Sequence, residues 1–512
     1  MNPRLINGCI AAVILLSSWV VSSSAQRRGS QQGGAAGGAG AEMTQILGRP
    51  TGQSVTLSVL APKDLDVFVE YGVKPGAYTN KTKAAKISSG KSLEILLDQL
   101  KPDTRYYYRL NQREQGKAAY SMGAEYNFHT QRAPGSTFAF GVQGDSHPER
   151  LNRMYDPDLY VRTMQNVQAD RPDFYITLGD DFSVDQLYNR SMLSAETVGQ
   201  LYVRQRAFLG LVGRSTPLFL VNGNHEQAAR YLLNGTPNSP PVLSGRARNL
   251  YFPLPAPDHF YTGNPEPVAF VGLPRDYYAW TWGDALFVTI DPYWHSPVQI
   301  DSGLGGGQGG GRADRKAARK GGGQAGRRGG SRSRDWWGIT IGAAQYQWLK
   351  KTLEQSNARY KFVFAHHVLG TGRGGVELAD LYEWGGKNTS GDWEFDTKRP
   401  GWELPIHQLM VKHGVTIFFQ GHDHLFARQE KDGVVYQETP NPADQDYSVY
   451  NREAYRSGDI LPNSGYLRVT VSPSQVKVDY VRSFPPKDET ADRKNGAVAF
   501  SYTVGAARPS SK

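Results

Sequence analysis

The chain has 512 residues, enough for two or more packed cores. Its formal net charge of +10 suggests a polyanion binder, but residues 303–334 hold nine Lys or Arg against Asp314. That segment carries +8 of the +10 and leaves the remainder close to neutral. The single cysteine, Cys9, sits in the N-terminal apolar run, so a chain cut after that run has no thiolate metal site, cysteine nucleophile or disulfide.

Residues 1–25 have the parts of a secretory signal: Arg4, an apolar run from Cys9 to Val21, and "SSSA" before Gln26. The run is shorter than the roughly 20 residues a spanning helix needs, so cleavage near Ala25 and no stable membrane insertion afterwards are expected. This predicts a secreted or periplasmic protein. Residues 26–43, rich in Gly, Ala, Ser and Gln, read as a flexible linker. Over 44–131, alternating runs such as "SVTLSVLA", "LDVFVEYG", "SLEILLDQL" and "AEYNFHT" are separated by Pro, Gly and Asn turns, which predicts a small antiparallel β-sandwich. Within it "QLKPDTRYYYRL" resembles a stretch of fibronectin type III-like domains in which a tyrosine near the strand start tethers the preceding loop.

From Thr137 apolar strands alternate with helix-like segments such as "DLYVRTMQNVQ" and "AQYQWLKKTLEQ", so 136–485 is expected to be one α/β domain and 486–512 a C-terminal strand and tail. The Gly/Arg-rich stretch 303–334 has too few apolar side chains to bury and reads as a disordered insertion, a candidate contact for a polyanion or an anionic surface. Five apolar runs end in residues that bind metals or move protons. "TFAFGVQ" leads to Asp145 and His147, "DFYITL" to Asp180 and Asp181, and "PLFLV" to Asn224, His225 and Glu226. "YKFVFA" leads to His366 and His367, and "VTIFFQ" to His422, Asp423 and His424. Ligands bind beyond the carboxyl ends of strands in open α/β sheets, so these side chains can share one rim. Carboxylate, amide oxygen and imidazole, without thiolate, suit hard to borderline metal ions.

The ordered set "GDSH", "GDD", "GNHE", "HH" and "GHDH" resembles the calcineurin-like metallophosphoesterases, and with the sandwich in front, their purple acid phosphatase branch. The resemblance implies an αββα sandwich and two metal ions about 3.5 to 4 Å apart. One ion would take Asp145, His147, Asp180 and His424, and the other Asp180, Asn224, His366 and His422. It also implies hydrolysis of a phosphoester by a hydroxide held between the metals, with His225 contacting the phosphate and protonating the leaving oxygen. The V-x-x-H pattern, Val363 to His366, favours His366 over His367 as the ligand. His367, Arg373 in "GTGRGG" and His295 in "DPYWHSP" remain candidate substrate contacts. Where purple acid phosphatases have a G-D-x-x-Y motif, this chain has Ser183, and it adds His147 two residues after Asp145. An imidazole in place of a phenolate points to two divalent ions, Zn, Mn or Fe, and to a colourless protein. The residues leave three functions open: a phosphomonoesterase, a phosphodiesterase or nucleotide hydrolase, and a cell-surface binding protein with a vestigial site.

Overall fold

The computed structural model describes residues 43–300, 335–369 and 372–505. The expected signal, the expected linker up to residue 42, the basic insertion and the tail beyond residue 505 lie outside them. The first eight strands form two antiparallel sheets. One joins Thr44–Gly48, Val55–Leu60 and Ser92–Leu97, and the other is built on Leu65–Gly72, Arg105–Glu114 and Ser121–His129. Alternation places Tyr106, Tyr108 and Leu110 of one sheet against Leu57, Val59 and Leu97 of the other in a shared core. The backbone N–H of Lys101 donates to the Tyr106 hydroxyl over 2.9 Å, so a tyrosine at the strand start does hold the preceding loop. Tyr108 donates to the carbonyl of Arg214, just beyond the helix Ala195–Gly213, and joins the β region to the α/β region.

The remainder has four layers. A six-stranded sheet runs Leu218–Leu220, Phe174–Thr177, Phe138–Gln143, Gly465–Val471, Gln475–Arg482, Val498–Gly505, its first three strands parallel. An eight-stranded sheet has Ala285–Thr289, Tyr360–Phe364, Ile417–Gln420 and Val434–Glu438 as its parallel centre. Strand alternation divides the apolar side chains between the layers. Phe140, Phe174 and Phe219 of the first sheet meet Trp280, Phe287 and Phe362 of the second between the sheets. Tyr175 and Leu220 face helix residues Tyr160, Met164, Tyr202 and Leu209, while Val363 and Phe418 face Tyr346, Leu349 and Met410. The fold is therefore an αββα sandwich preceded by a small all-β sandwich. The five strands that precede the motifs are all in the parallel parts of the two sheets. Register sets Thr177 beside both Gln143 and Leu220, and Phe364 beside Phe419, so the five loops leave at nearly the same level.

Candidate metal centre

Each loop delivers its side chains within a few residues of a strand end, and the backbone there is distorted. His147, Asp180, His422 and His424 have φ of 49°, 57°, 78° and 55°, a left-handed conformation that L-residues adopt at a cost unless the surroundings impose it. Two glycines permit the close approach: a Cβ on Gly223 would lie 2.2 Å from Asp180 Oδ1, and one on Gly421 would lie 2.5 Å from Asp145 Oδ1.

Asp145, Asp180, His366 and His422 bring one donor atom each within 4.8 Å of one another, and so do Asp145, His147 and His424, and His147, Asp180 and His225. All of these residues but His225 are buried. In the first group His366 Nε2 is 3.1 Å from His422 Nδ1, 3.3 Å from Asp180 Oδ2 and 2.9 Å from Asn224 Oδ1. In the second, His424 Nε2 is 2.9 Å from Asp145 Oδ2 and from His147 Nε2, which itself lies 3.7 Å from Asp180 Oδ2. Each carboxylate spends its other oxygen on bracing: Asp145 Oδ1 accepts the N–H of His422, and Asp180 Oδ1 that of His225, both over 2.8 Å.

The ring tautomers follow from the outer partners. His366 Nδ1 donates to the carbonyl of Leu178 over 2.8 Å, and His147 Nδ1 to Glu149 Oε1 over 2.9 Å. In a neutral ring the Nε2 atoms then present lone pairs, and they face further lone pairs on Asp145, Asp180, Asn224, His422 and His424. Acceptors that face acceptors in a buried site need a cation, or protons, between them. Without a cation, the charges of the site favour protons there. Burial lowers the His366 pKa, but Asp180 and Asp145 outweigh it and push it up to about 10. Burial would raise Asp145 and Asp180, yet the neighbouring histidines hold both well below the usual carboxylate range.

His225 lies at the edge of the cluster, Nε2 being 3.8 Å from Asp180 Oδ2 and Nδ1 2.8 Å from Asp185 Oδ2. Against burial, Asp180 and Asp185 push its pKa up to about 9. His367 is held at Nδ1 by the Tyr293 hydroxyl (3.0 Å), its ring 5.0 Å from that of His422. Arg373 donates to Asp423 Oδ1 (3.0 Å) and to the His422 carbonyl, and so braces the last loop. His295 pairs with buried Asp276 (2.8 Å) and joins none of the donor groups. Sequence reasoning assigned no part to Glu149 or Asp185, and named Glu226 only within its strand-end motif, outside the ligand set. Glu226 accepts N–H groups from Asp180, Asp181, Phe182 and Gly223 over 2.7 to 3.2 Å and sets the shape of two ligand loops. The available signal was an acidic residue two or five positions beyond a ligand, which is too common to single out.

A family model described as calcineurin-like phosphoesterase matches residues 138–426, more than half of the chain. The chain is similar to purple acid phosphatase 21 of Arabidopsis thaliana, with 29% identity over 174 residues that make up 32% of this chain and 33% of that protein. It thus spans about a third of the length of that relative. Among solved structures it is similar to PhoD, with 14% identity, 92% of each chain covered and a TM-score of 0.60. It is also similar to the purple acid phosphatase PPD1 from yellow lupin (Lupinus luteus) seeds, with 16% identity, 90% of this chain and 74% of that one covered, and a TM-score of 0.54. At these identities the structural likeness is one of fold.

Proposed function

We propose that this chain, which belongs to the calcineurin-like phosphoesterase family, hydrolyses phosphate monoesters at a centre of two divalent cations. In this reading Asp145, His147, Asp180 and His424 hold one ion, and Asp180, Asn224, His366 and His422 the other. The observation that carries it is the convergence of imidazole nitrogens and carboxylate oxygens in adjoining buried groups, with Asp180 Oδ2 3.3 Å from His366 Nε2 on one side and 3.7 Å from His147 Nε2 on the other. The donor set is nitrogen and oxygen only, which suits Zn, Mn or Fe(II). Bound there, such ions would neutralise charge on phosphoryl oxygens and acidify water.

The chain's own residues supply the rest. The backbone around Gly223 and Gly421 lets the carboxylates lie against the loops without a Cβ between them. Asp185 takes Nδ1–H of His225, while Nε2 accepts from Arg150 Nη2, so Nε2 would have to leave that contact and carry a proton in order to protonate a departing alkoxide. Burial of every donor keeps bulk water from competing for the lone pairs. Export belongs to the proposal and rests on residues 1–25. The division into a sandwich at 44–131 and a catalytic domain at 136–485 is likewise proposed, as is recruitment of a polyanion by the basic insertion. No helix among the described residues is long and apolar enough to cross a membrane.

The test is metal analysis of the purified protein together with rates on a paired aryl phosphate monoester and diester. Two equivalents of divalent metal and faster monoester turnover are expected. A metal-replete protein that cleaves neither would overturn the reading, and one that prefers the diester would make it a phosphodiesterase.

A further inference from the structure

Arg150 belongs to none of the donor groups, yet it is built into the rim. It ends the short turn Pro148–Arg150 that comes directly after His147. Its Nε donates to Glu149 Oε1 over 3.2 Å, the same oxygen that takes His147 Nδ1–H, so one carboxylate fixes both a ring of the cluster and the guanidinium. Nη1 lies 3.1 Å from Met154 Sδ, a weak acceptor, and Nη2 lies 3.2 Å from His225 Nε2. That nitrogen stands 3.8 Å from Asp180 Oδ2, which lies 3.3 Å from His366 Nε2 and 3.7 Å from His147 Nε2. The Arg150 side chain is 26% exposed, so its outer edge can be reached from solvent. A guanidinium has five N–H donors and no acceptor. Glu149 takes Nε–H, Met154 Sδ one Nη1–H and His225 Nε2 one Nη2–H, which leaves a second N–H on each terminal nitrogen for the oxygens of a phosphoryl group.

We propose that Arg150 is a substrate-binding residue that takes a non-bridging phosphoryl oxygen beside His225 and selects a doubly charged terminal phosphate over a singly charged diester. The inference rests on the phosphoesterase reading above and adds the group that discriminates between substrates. In a partly buried rim the attraction of a fixed cation for a second negative charge is screened less than in bulk water.

The experiment uses the full chain, metal-loaded, as wild type, Arg150→Gln, Arg150→Ala and Arg150→Lys. KM and kcat are measured on an aryl phosphate monoester and on the matching diester, inhibition by inorganic phosphate is measured alongside, and metal content and thermal midpoint are recorded for each. In the Gln and Ala variants the monoester KM and the phosphate Ki should rise at least about tenfold with metal content unchanged. The diester KM should rise clearly less, and Lys should restore part of the loss. An active wild type whose Gln and Ala variants keep both constants within twofold overturns the role of Arg150 alone, and equal losses on the two substrates overturn the selection by charge. A metal-loaded wild type that hydrolyses neither substrate overturns the phosphoesterase reading and this inference with it. If Ala proves unstable, Gln, which removes the charge and shortens the side chain while keeping it polar, decides the matter.

Discussion

Asp180 divides its carboxylate between two tasks, Oδ1 holding the His225 amide and Oδ2 facing His366 and His147. Asp180→Asn keeps the shape but removes the negative charge from the oxygen that faces both His366 and His147. Hydrolysis should fall by more than the roughly 10- to 100-fold that outer partners of a metal site cost, with far-UV circular dichroism unchanged. Asn224→Ala should behave likewise through loss of one ion, and wild-type turnover by either metal-replete variant would remove these residues from the centre. Ser183, which stands where a purple acid phosphatase would have tyrosine, is buried and has no phenolate to offer, while His147 puts an imidazole nitrogen 3.5 Å from Asp145 Oδ2. A neutral nitrogen in place of a phenolate disfavours a trivalent ion, so the purified protein should show no visible charge-transfer band. His147→Ala should lose one metal equivalent and most activity, and a coloured wild type or a fully active variant would refute that assignment.

Trp280, on Tyr278–Trp282 of the eight-stranded sheet, joins the two sheets. Its ring stacks on Phe219 of the opposite sheet at 4.0 Å and on Phe287 at 4.9 Å, and meets Phe174 edge-on at 5.7 Å. Trp280→Ala should cost about 3–5 kcal/mol of stability in urea unfolding, and Trp280→Phe less than about 1.5 kcal/mol, with metal content preserved in both. A Trp280→Ala loss below about 1 kcal/mol would mean that the sheets do not depend on this contact. Elements of this kind were legible in the sequence because a strand buried on both faces is a nearly continuous apolar run, as in "YKFVF" or "VTIFF", and because each ligand comes within a few residues of its strand. The tyrosine tether in "QLKPDTRYYYRL" was legible for the same reason, since its partner lies five residues away. The contacts that bring distant residues together were not legible. Buried Arg206 donates to Ser58 Oγ and to the carbonyls of Ser58 and Tyr251, and so links the β-sandwich to the helical layer, yet nothing local to "VRQRAF" marks it. The pairings of His295 with Asp276 and of Arg373 with Asp423 were likewise not legible, because these residues are neighbours only in space.

The donor residues come from both halves of the molecule: Asp145, His147, Asp180 and Asn224 follow strands of the six-stranded sheet, and His366, His422 and His424 follow strands of the eight-stranded one. On the proposed assignment, cations held by both halves would tie the sheets together, so their binding free energy would add to folding stability, and chelation should lower the thermal midpoint. The size of that drop depends on pH, because protons occupy the site when metals leave. In the metal-free chain His366 titrates at about 10, burial being outweighed by Asp180 and Asp145. A histidine raised in the folded state contributes stability that is fully present below its unfolded pKa of about 6.5 and is lost as pH rises through about 10. The chelated protein should therefore lose stability across this window. In the loaded protein His366 Nε2 must offer a lone pair, so its ring stays neutral and contributes no such decline. The gap in thermal midpoint between loaded and chelated protein should widen from pH 6.5 to pH 9, at up to roughly 1.4 kcal/mol per pH unit in the underlying free energy. Metal titration into chelated protein at pH 8 should release protons into a weakly buffered solution. A gap that narrows with rising pH, or metal uptake without proton release, would show that His366 is not a ligand and that the two sheets are joined by packing alone.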